Sequence, residues 1–173
     1  KLTRLSKRKH KQLEASVLMN SDQIIVTSPQ TKLILSKRTK SPVIVITNGY
    51  DFEINKSCKL DTKFTLSHVG NLQDGRNPEF LWKTLHDLVQ NSIDFSKHFR
   101  LNLIGYISEA VLNSIRIYGL EAYTNYSGYV SHSEALEYQS RTQLLLLIEE
   151  NSKETKYIIP GKLFEYIASR RPI

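Results

Sequence analysis

The sequence is poor in the residues and patterns that mark several common classes of protein. Cys58 is the only cysteine among 173 residues, so an internal disulfide and a cysteine-based metal site are both excluded. No apolar run approaches the ~20 residues that a membrane-spanning helix needs. The five histidines show neither HExxH nor HxxxH spacing. We therefore expect a reduced, intracellular protein without a dedicated metal site.

Positive charge is concentrated at the front of the chain. Residues 1–40 carry ten Lys or Arg against two acidic residues, whereas residues 41–173 carry fourteen against fifteen. Apolar residues in the first twenty positions recur at helical intervals between the basic ones, namely Leu2, Leu5, Leu13, Val17 and Leu18. This segment predicts a basic helix. Its basic face is either solvated, or directed to an anionic membrane, or directed to nucleic acid. Nucleic acid is not expected as a partner, because no aromatic residues are interleaved with the lysines.

Short apolar runs alternate with amphipathic segments along the rest of the chain. The predicted strands lie, in order, in DQIIVTS, PVIVITNGYD, FTLSHVGN, FRLNLIGY, NYSGYV and LLLLIEEN. Helices are predicted between them, as in parallel βαβ units. The expected fold class is therefore α/β, with a Rossmann-like doubly wound parallel sheet. Ligands of such sheets bind beyond the carboxyl ends of the strands, which here are VGNLQDGR, LIGYIS, GYVSHSE and IEENSKETKYIIPG.

The segment IIPGKLFEYIASRRPI predicts a closing helix that starts near Gly161. Helical periodicity gives it two sides. The side predicted to face outward consists of Lys162, Glu165, Tyr166 and Ser169. The side predicted to pack on the sheet consists of Leu163, Phe164, Ile167 and Ala168. The free N–H groups at Gly161 and the charge of Lys162 suit a phosphate, and Glu165 can accept hydrogen bonds from ribose hydroxyls. The alternative is an ordinary i, i+3 surface pair of Lys162 with Glu165.

Six segments together resemble retaining family 4 glycosyltransferases of the GT-B fold. They are SDQIIVTS, VIVITNGYD, VGNLQDGRNPEFLWKTL, LNLIGY, GYVSHSEAL and IPGKLFEYIASRRPI. The resemblance extends from about Ser21 to the end of the chain. It implies that residues 1–50 are the tail of an acceptor-side domain and that residues 51–173 are a donor nucleotide-sugar-binding domain truncated at its C-terminus. The chain is accordingly expected to be an excerpt from a longer protein.

The resemblance also implies residues that bind the diphosphate of the donor. Gly70 lies where the first strand of the donor domain ends against the diphosphate. Asn71 lies where many members have arginine, and Arg76 lies near a second basic residue that contacts the phosphates. The first turn of the closing helix adds Pro160, Gly161 and Lys162. Taken without the resemblance, Gly70 simply ends a strand and Arg76 is a cation in a polar loop.

Base and ribose contacts are implied in the same way. The loop at Val130 and Ser131 resembles the wall that holds the base through backbone groups. Glu165 matches the second glutamate of the paired-glutamate motif of the family, the one that binds ribose. Tyr157 stands eight residues earlier, where the first glutamate belongs. The acidic contact to the donor sugar that is usual in the family is therefore missing at its expected place.

The function implied by the resemblance is retaining transfer of a sugar from a nucleoside diphosphate in polysaccharide or glycoconjugate synthesis. No cofactor or metal is expected, and no DxD triplet is present. The catalytic residues are unknown and are expected in the acceptor-side domain. The hypothesis includes a lipid-linked acceptor and a cytoplasmic bacterial protein. In this hypothesis, residues 1–20 touch the inner face of the membrane. The alternatives are a GT-B sugar epimerase, a basic nucleic-acid-binding module, and a dinucleotide-dependent dehydrogenase, although no strand end fits G-x-G-x-x-G.

Two further predictions concern packing. Trp82, with its neighbours Phe80 and Leu81, is predicted to form core on the helix after Gly70. His132 is predicted to stand at the N-terminus of a helix, where a role as a ligand or base is not needed to explain it.

Overall fold

The computed structural model describes residues 3–51, 58–150, 152 and 155–173, apart from the side chain of Lys156. The chain divides into two compact units. The first consists of Lys1–Gly49 and Ser152–Gly161, and the second of Tyr50–Asn151 and Lys162–Ile173.

The first unit contains two helices and a pair of parallel strands. Its elements are α1 (Arg4–Asn20), β1 (Ile24–Val26), α2 (Pro29–Leu35), β2 (Val43–Val45) and a 3-10 turn (Thr155–Tyr157). The predicted basic helix is confirmed as α1, and Thr3 caps it by accepting a hydrogen bond from the amide of Ser6 at 3.2 Å. Only Leu18 of this helix is buried, whereas Leu5, Leu13 and Val17 are exposed.

The second unit contains a four-stranded parallel sheet and five helices among its described residues. Its elements are β3 (Phe64–Val69), a 3-10 turn (Asp74–Arg76), α3 (Glu79–Asn91), α4 (Ile93–His98), β4 (Phe99–Ile104), α5 (Glu109–Ile117), a 3-10 turn (Glu121–Tyr123), β5 (Thr124–Gly128), α6 (His132–Arg141), β6 (Leu144–Leu145) and α7 (Gly161–Ala168). Helix α4 is not among the predicted elements. The other strands and helices lie where the apolar periodicity predicts them.

The strand order is β5-β4-β3-β6, with every neighbour parallel. Helices cover both faces of this sheet. On one face, α3 and α5 pack through residues such as Trp82 and Val111 against Leu66 and Leu101. On the other face, α6 and α7 pack against Val69, Ile104 and Leu145. The prediction of a Rossmann-like doubly wound sheet is thereby confirmed.

Two packing predictions are wrong in part. Trp82 is fully buried, as predicted, but Phe80 is 90% exposed. The two residues are separated by about 200° around a helix, so both cannot face the sheet. The sides of α7 also differ from the prediction, because Tyr166 and Ser169 are buried and Ile167 is 56% exposed.

The reason for the rotation of α7 is a hydrogen bond that periodicity does not reveal. The hydroxyl of Tyr166 accepts from the amide of Val69 at 3.0 Å and lies 3.4 Å from its carbonyl oxygen. A buried tyrosine needs a partner for its hydroxyl, and the end of β3 offers one. Tyr166 therefore faces the sheet, and Glu165 lies at the edge of the helix rather than on a fully outward side.

Candidate functional site

Strands β3 and β4 end side by side in two glycines with positive φ, 127° at Gly70 and 109° at Gly105. The amide of Gly70 donates to the carbonyl oxygen of Ile104 at 2.7 Å, so the sheet pairing continues to this point. A Cβ on Gly105 would lie 2.7 Å from the carbonyl oxygen of Gly70. The two strand ends approach each other more closely than a side chain at position 105 would allow.

Lys162, on the first turn of α7, extends its side chain to the end of β3. A Cβ on Gly70 would overlap its ammonium group. Burial is the main effect that lowers the pKa of Lys162, and the nearby Arg76 adds to it, whereas Glu165 and Glu149 oppose it. The structure thus brings a partly desolvated cation to the strand end at which a phosphate was predicted to bind.

Arg76 lies close to the same place, at the end of the 3-10 turn that follows β3. Its guanidinium is 3.4 Å from a carboxylate oxygen of Glu149, in the segment after β6. The loop that carries Arg76 is fixed by Asn77, which accepts from the indole of Trp82 at 2.7 Å and donates to the hydroxyl of Ser114 at 2.8 Å. Arg76 is therefore held by a rigid loop, while its charge is shared with an exposed acid.

Glu165 lies one turn beyond Lys162 on α7. The amide nitrogen of Gln139, on α6, donates to its Oε2 at 3.0 Å. Gln139 is 1% exposed. Gln139 is not among the predicted site residues, because the weakly amphipathic pattern of α6 makes a glutamine resemble a surface residue.

The other predicted residues divide between the two units. Val130 packs on the apolar cluster around Tyr166, in the second unit. Ser131 caps α6: its amide donates to Glu134 at 2.9 Å, and its carbonyl accepts from Ala135 at 2.9 Å. Both backbone groups of Ser131 are thus already used inside the helix. His132 is the first residue of α6, as predicted.

Three predicted positions remain. Asn71 is exposed just after Gly70. Pro160 and Gly161 belong to the first unit, in which the side chain amide of Asn48 lies 3.5 Å from where a Cβ of Gly161 would stand. Tyr157 also belongs to the first unit, where its carbonyl accepts from the hydroxyl of Ser28 at 2.7 Å.

A buried histidine next to this edge is absent from the predictions. His68, in β3, is 1% exposed, and its Nδ1 is 2.9 Å from the carbonyl oxygen of Leu146. Its Nε2 has no hydrogen-bond partner among the residues that the structure describes. Burial, reinforced by the charge of Lys162, lowers the pKa of His68 to about 4. The imidazole is therefore neutral at physiological pH, two residues before Gly70.

The described residues contain neither a candidate metal site nor a candidate membrane-spanning helix. Within 3–51, 58–150, 152 and 155–173, no three or more His, Cys, Asp or Glu side chains are grouped so as to hold a metal ion. In the same part of the chain, no helix has both the length and the apolar character that crossing a membrane requires.

Solved structures of glycosyltransferases share this fold. WaaG, a glycosyltransferase involved in lipopolysaccharide biosynthesis, matches with a TM-score of 0.69 and 12% identity over 95% of this chain and 47% of its own. HepE from Anabaena, solved with UDP and glucose, matches with a TM-score of 0.68 and 13% identity over 95% and 47%. The pneumococcal O-GlcNAc transferase GtfA, solved with UDP and GlcNAc, matches with a TM-score of 0.66 and 19% identity over 87% and 29%.

These likenesses establish the fold. The chain has the fold of part of a GT-B glycosyltransferase, as the sequence resemblance predicted, and it spans less than half the length of each of the three proteins. No protein-family model matches the sequence, and no curated protein matches it either.

Proposed function

We propose that this chain is the donor-binding part of a glycosyltransferase and that its second unit binds a nucleoside diphosphate sugar. One observation carries the proposal: Gly70, Lys162, Arg76 and Glu165 meet at the carboxyl edge of β3. Two cations beside a glycine without a side chain, and a carboxylate one helical turn further on, match the charges and hydroxyls of a diphosphate linked to a ribose. The solved GT-B structures with UDP support the same class of ligand.

The two cations would hold the diphosphate. Lys162 has lost part of its hydration, so an anion beside it regains the interaction that burial removed. Arg76 would exchange its partly exposed contact with Glu149 for a phosphate oxygen. During transfer the same charges would stabilise the departing diphosphate, which is the main electrostatic demand of this reaction.

The ribose and the base would bind beyond the diphosphate. Within the described part of the chain, the carboxylate of Glu165 accepts a single hydrogen bond, from Gln139, so its second oxygen would serve the ribose hydroxyls. Because the backbone of Ser131 is used in the helix cap, backbone contact with the base falls to Val130. Asn71, exposed just after Gly70, completes the set proposed within the second unit. Pro160 and Gly161 stay predictions of the sequence resemblance alone.

The complete protein would transfer the sugar with retention of configuration to an acceptor bound by another domain. The protein would act in the cytoplasm, in bacterial polysaccharide or glycoconjugate synthesis. The reaction would need no metal ion. The acceptor would be lipid-linked, and the exposed basic helix α1 would touch the anionic inner face of the membrane.

Calorimetric titration of the 173-residue chain with UDP, GDP, ADP and CMP tests the proposal. We expect one nucleoside diphosphate to bind saturably. Glu165→Ala should weaken it by roughly 1.5 to 3 kcal/mol, because a hydrogen bond to a charged group is lost. Arg76→Ala should weaken diphosphates more than the corresponding nucleoside.

Glu137→Ala is the matched control, since it removes an exposed carboxylate from α6 that contacts Arg141. The nucleotide affinity of Glu137→Ala should equal that of the unmodified chain. If no nucleotide binds to folded protein, or if Glu165→Ala binds as tightly as the control, the proposed site is wrong.

A further inference from the structure

Helix α6, all of whose residues are described, has one fully buried side chain, and that side chain is polar. It is Gln139. Its neighbours Ala135 and Tyr138 pack on the apolar cluster of the second face of the sheet. Position 139 is thus a core position, where an aliphatic side chain would be the ordinary choice.

The orientation of the Gln139 amide follows from its partner. An ionised carboxylate can only accept hydrogen bonds, so the amide nitrogen must face Glu165, as it does at 3.0 Å. This contact occupies Oε2 of Glu165 and fixes the plane of the carboxylate. Oε1 is left for other donors. The positive charge of Lys162 lies nearby on the same helix.

The other end of the Gln139 amide argues against a role in stability alone. Its Oε1 is buried and has no hydrogen-bond partner within the described part of the chain. A buried acceptor without a partner destabilises the folded state. An apolar residue of similar volume at position 139 would avoid this cost, so the contact with Glu165 is what the glutamine adds.

We propose that Gln139 is a positioning residue for the ribose contact: it holds one oxygen of Glu165 so that the other faces the ribose hydroxyls. This inference rests on the proposed function. It assigns to α6 two tasks at once. The N-terminus of the helix shapes the loop at Val130, and its last turn orients the carboxylate of Glu165, which binds the ribose.

Discrimination between ribose and deoxyribose is the measurement that tests Gln139. The 173-residue chain and Gln139→Met are titrated with UDP and 2′-deoxy-UDP, or with the GDP or ADP pair if that base binds more tightly. We expect the unmodified chain to prefer the ribonucleotide by about tenfold or more, and Gln139→Met by less than about threefold. The melting temperature should change by no more than about 3 °C, because an unpaired buried group is removed together with a hydrogen bond.

A double-mutant cycle separates positioning from a general structural effect. If Gln139 acts through Glu165, Gln139→Met should have no further effect on discrimination once Glu165→Ala is present. Gln143→Met is the matched control. It removes an amide that bonds Thr65 and Asp61 at the opposite end of β3, and it should leave discrimination unchanged.

Gln139→Glu provides a second, independent variant. It sets two carboxylates against each other, so discrimination should be poor at pH 8 and should recover towards pH 5, where the pair shares a proton. Unchanged discrimination in Gln139→Met and Gln139→Glu, with tight ribonucleotide binding retained, overturns the inference alone. Absence of nucleotide binding by the unmodified chain overturns the proposed function, and the inference with it.

Discussion

Two features of its surroundings favour glycine at position 70. Its φ of 127° lies where side chains are rarely found, and a Cβ would take the place of the Lys162 ammonium. The sequence shows the glycine as the end of a strand. It does not show that a lysine ninety-two positions later closes over it, since that distance along the chain carries no pattern.

His68 makes the stability of the folded protein depend on pH. Its pKa is about 4 in the folded protein, against 6.5 for an ordinary histidine. Below pH 6.5 His68 takes up a proton in the unfolded chain but not in the folded protein. The contribution of neutral His68 to the free energy of unfolding is therefore fully present above pH 6.5 and is lost as the pH falls towards 4. At pH 5 the loss should be about 2 kcal/mol.

Urea unfolding at pH 7.5 and pH 5 measures this loss. His68→Gln keeps a donor for the carbonyl of Leu146 but cannot take up the proton. Between the two pH values, the free energy of unfolding of the variant should therefore fall by about 2 kcal/mol less than that of the unmodified chain. Equal losses in both proteins would mean that His68 does not resist protonation.

Helix α7 is held by the strand that it covers. Strand β6 has two residues, and its pairing with β3 stops at Ser67. The next groups of β3 on that side belong to Val69, because alternate residues of a strand direct their backbone groups to the same neighbour. The hydroxyl of Tyr166 meets them, and burial raises its pKa, so it remains a donor as well as an acceptor. The helix thus replaces the missing length of β6.

Tyr166→Phe should loosen α7 without creating a cavity of any size. The amide of Val69 would lose its partner inside the core, at a cost of about 1 to 3 kcal/mol in the free energy of unfolding. Because Lys162 and Glu165 are carried by the same helix, nucleotide affinity should fall too.

Tyr129→Phe is the control for Tyr166→Phe, since Tyr129 is 93% exposed and loses the same hydroxyl. Urea unfolding and calorimetry on both variants give the two quantities. Equal stability of the two would show that the bond between Tyr166 and Val69 contributes nothing.

At the scale of the whole molecule, the notable property is the uneven charge. The net charge is +7, and the excess lies in residues 1–40. Most residues of helix α1 are exposed, including Leu5 at 80% and Val17 at 64%, whereas Leu18 is buried. A surface of this kind attracts anionic lipid at low salt, where the Debye length is long.

Cosedimentation with vesicles that contain phosphatidylserine tests the membrane proposal. Binding should be clear at low ionic strength and should weaken as salt is added. Replacement of Lys7, Lys9 and Lys11 by alanine should reduce it roughly 100-fold, at about 1 kcal/mol for each charge, and should leave nucleotide binding unchanged.

The matched control removes three exposed lysines from the second unit, Lys59, Lys83 and Lys97, and so lowers the net charge equally. It should retain most of the vesicle binding. Equal losses in the two triple variants would mean that total charge, and not α1, governs attraction to the surface.

Local sequence patterns are enough to predict the order and type of nearly all elements in the second unit. Alternating apolar runs and amphipathic segments are local patterns, and parallel pairing follows when strands and helices alternate. The sequence also placed Gly70, Arg76, Lys162 and Glu165 at strand ends and on a helix turn that the fold brings to one edge. Helix α4 was missed because six residues with one serine cap carry too little periodicity.

The division of the side chains between core and site depends instead on contacts that form when the chain folds. The rotation of α7 depends on a bond from Tyr166 to a strand about a hundred residues away. The buried states of His68 and Gln139 depend on which helices cover them. Such contacts join residues that are distant in sequence, and burial and hydrogen bonding, which set their chemistry, arise only when the chain has folded.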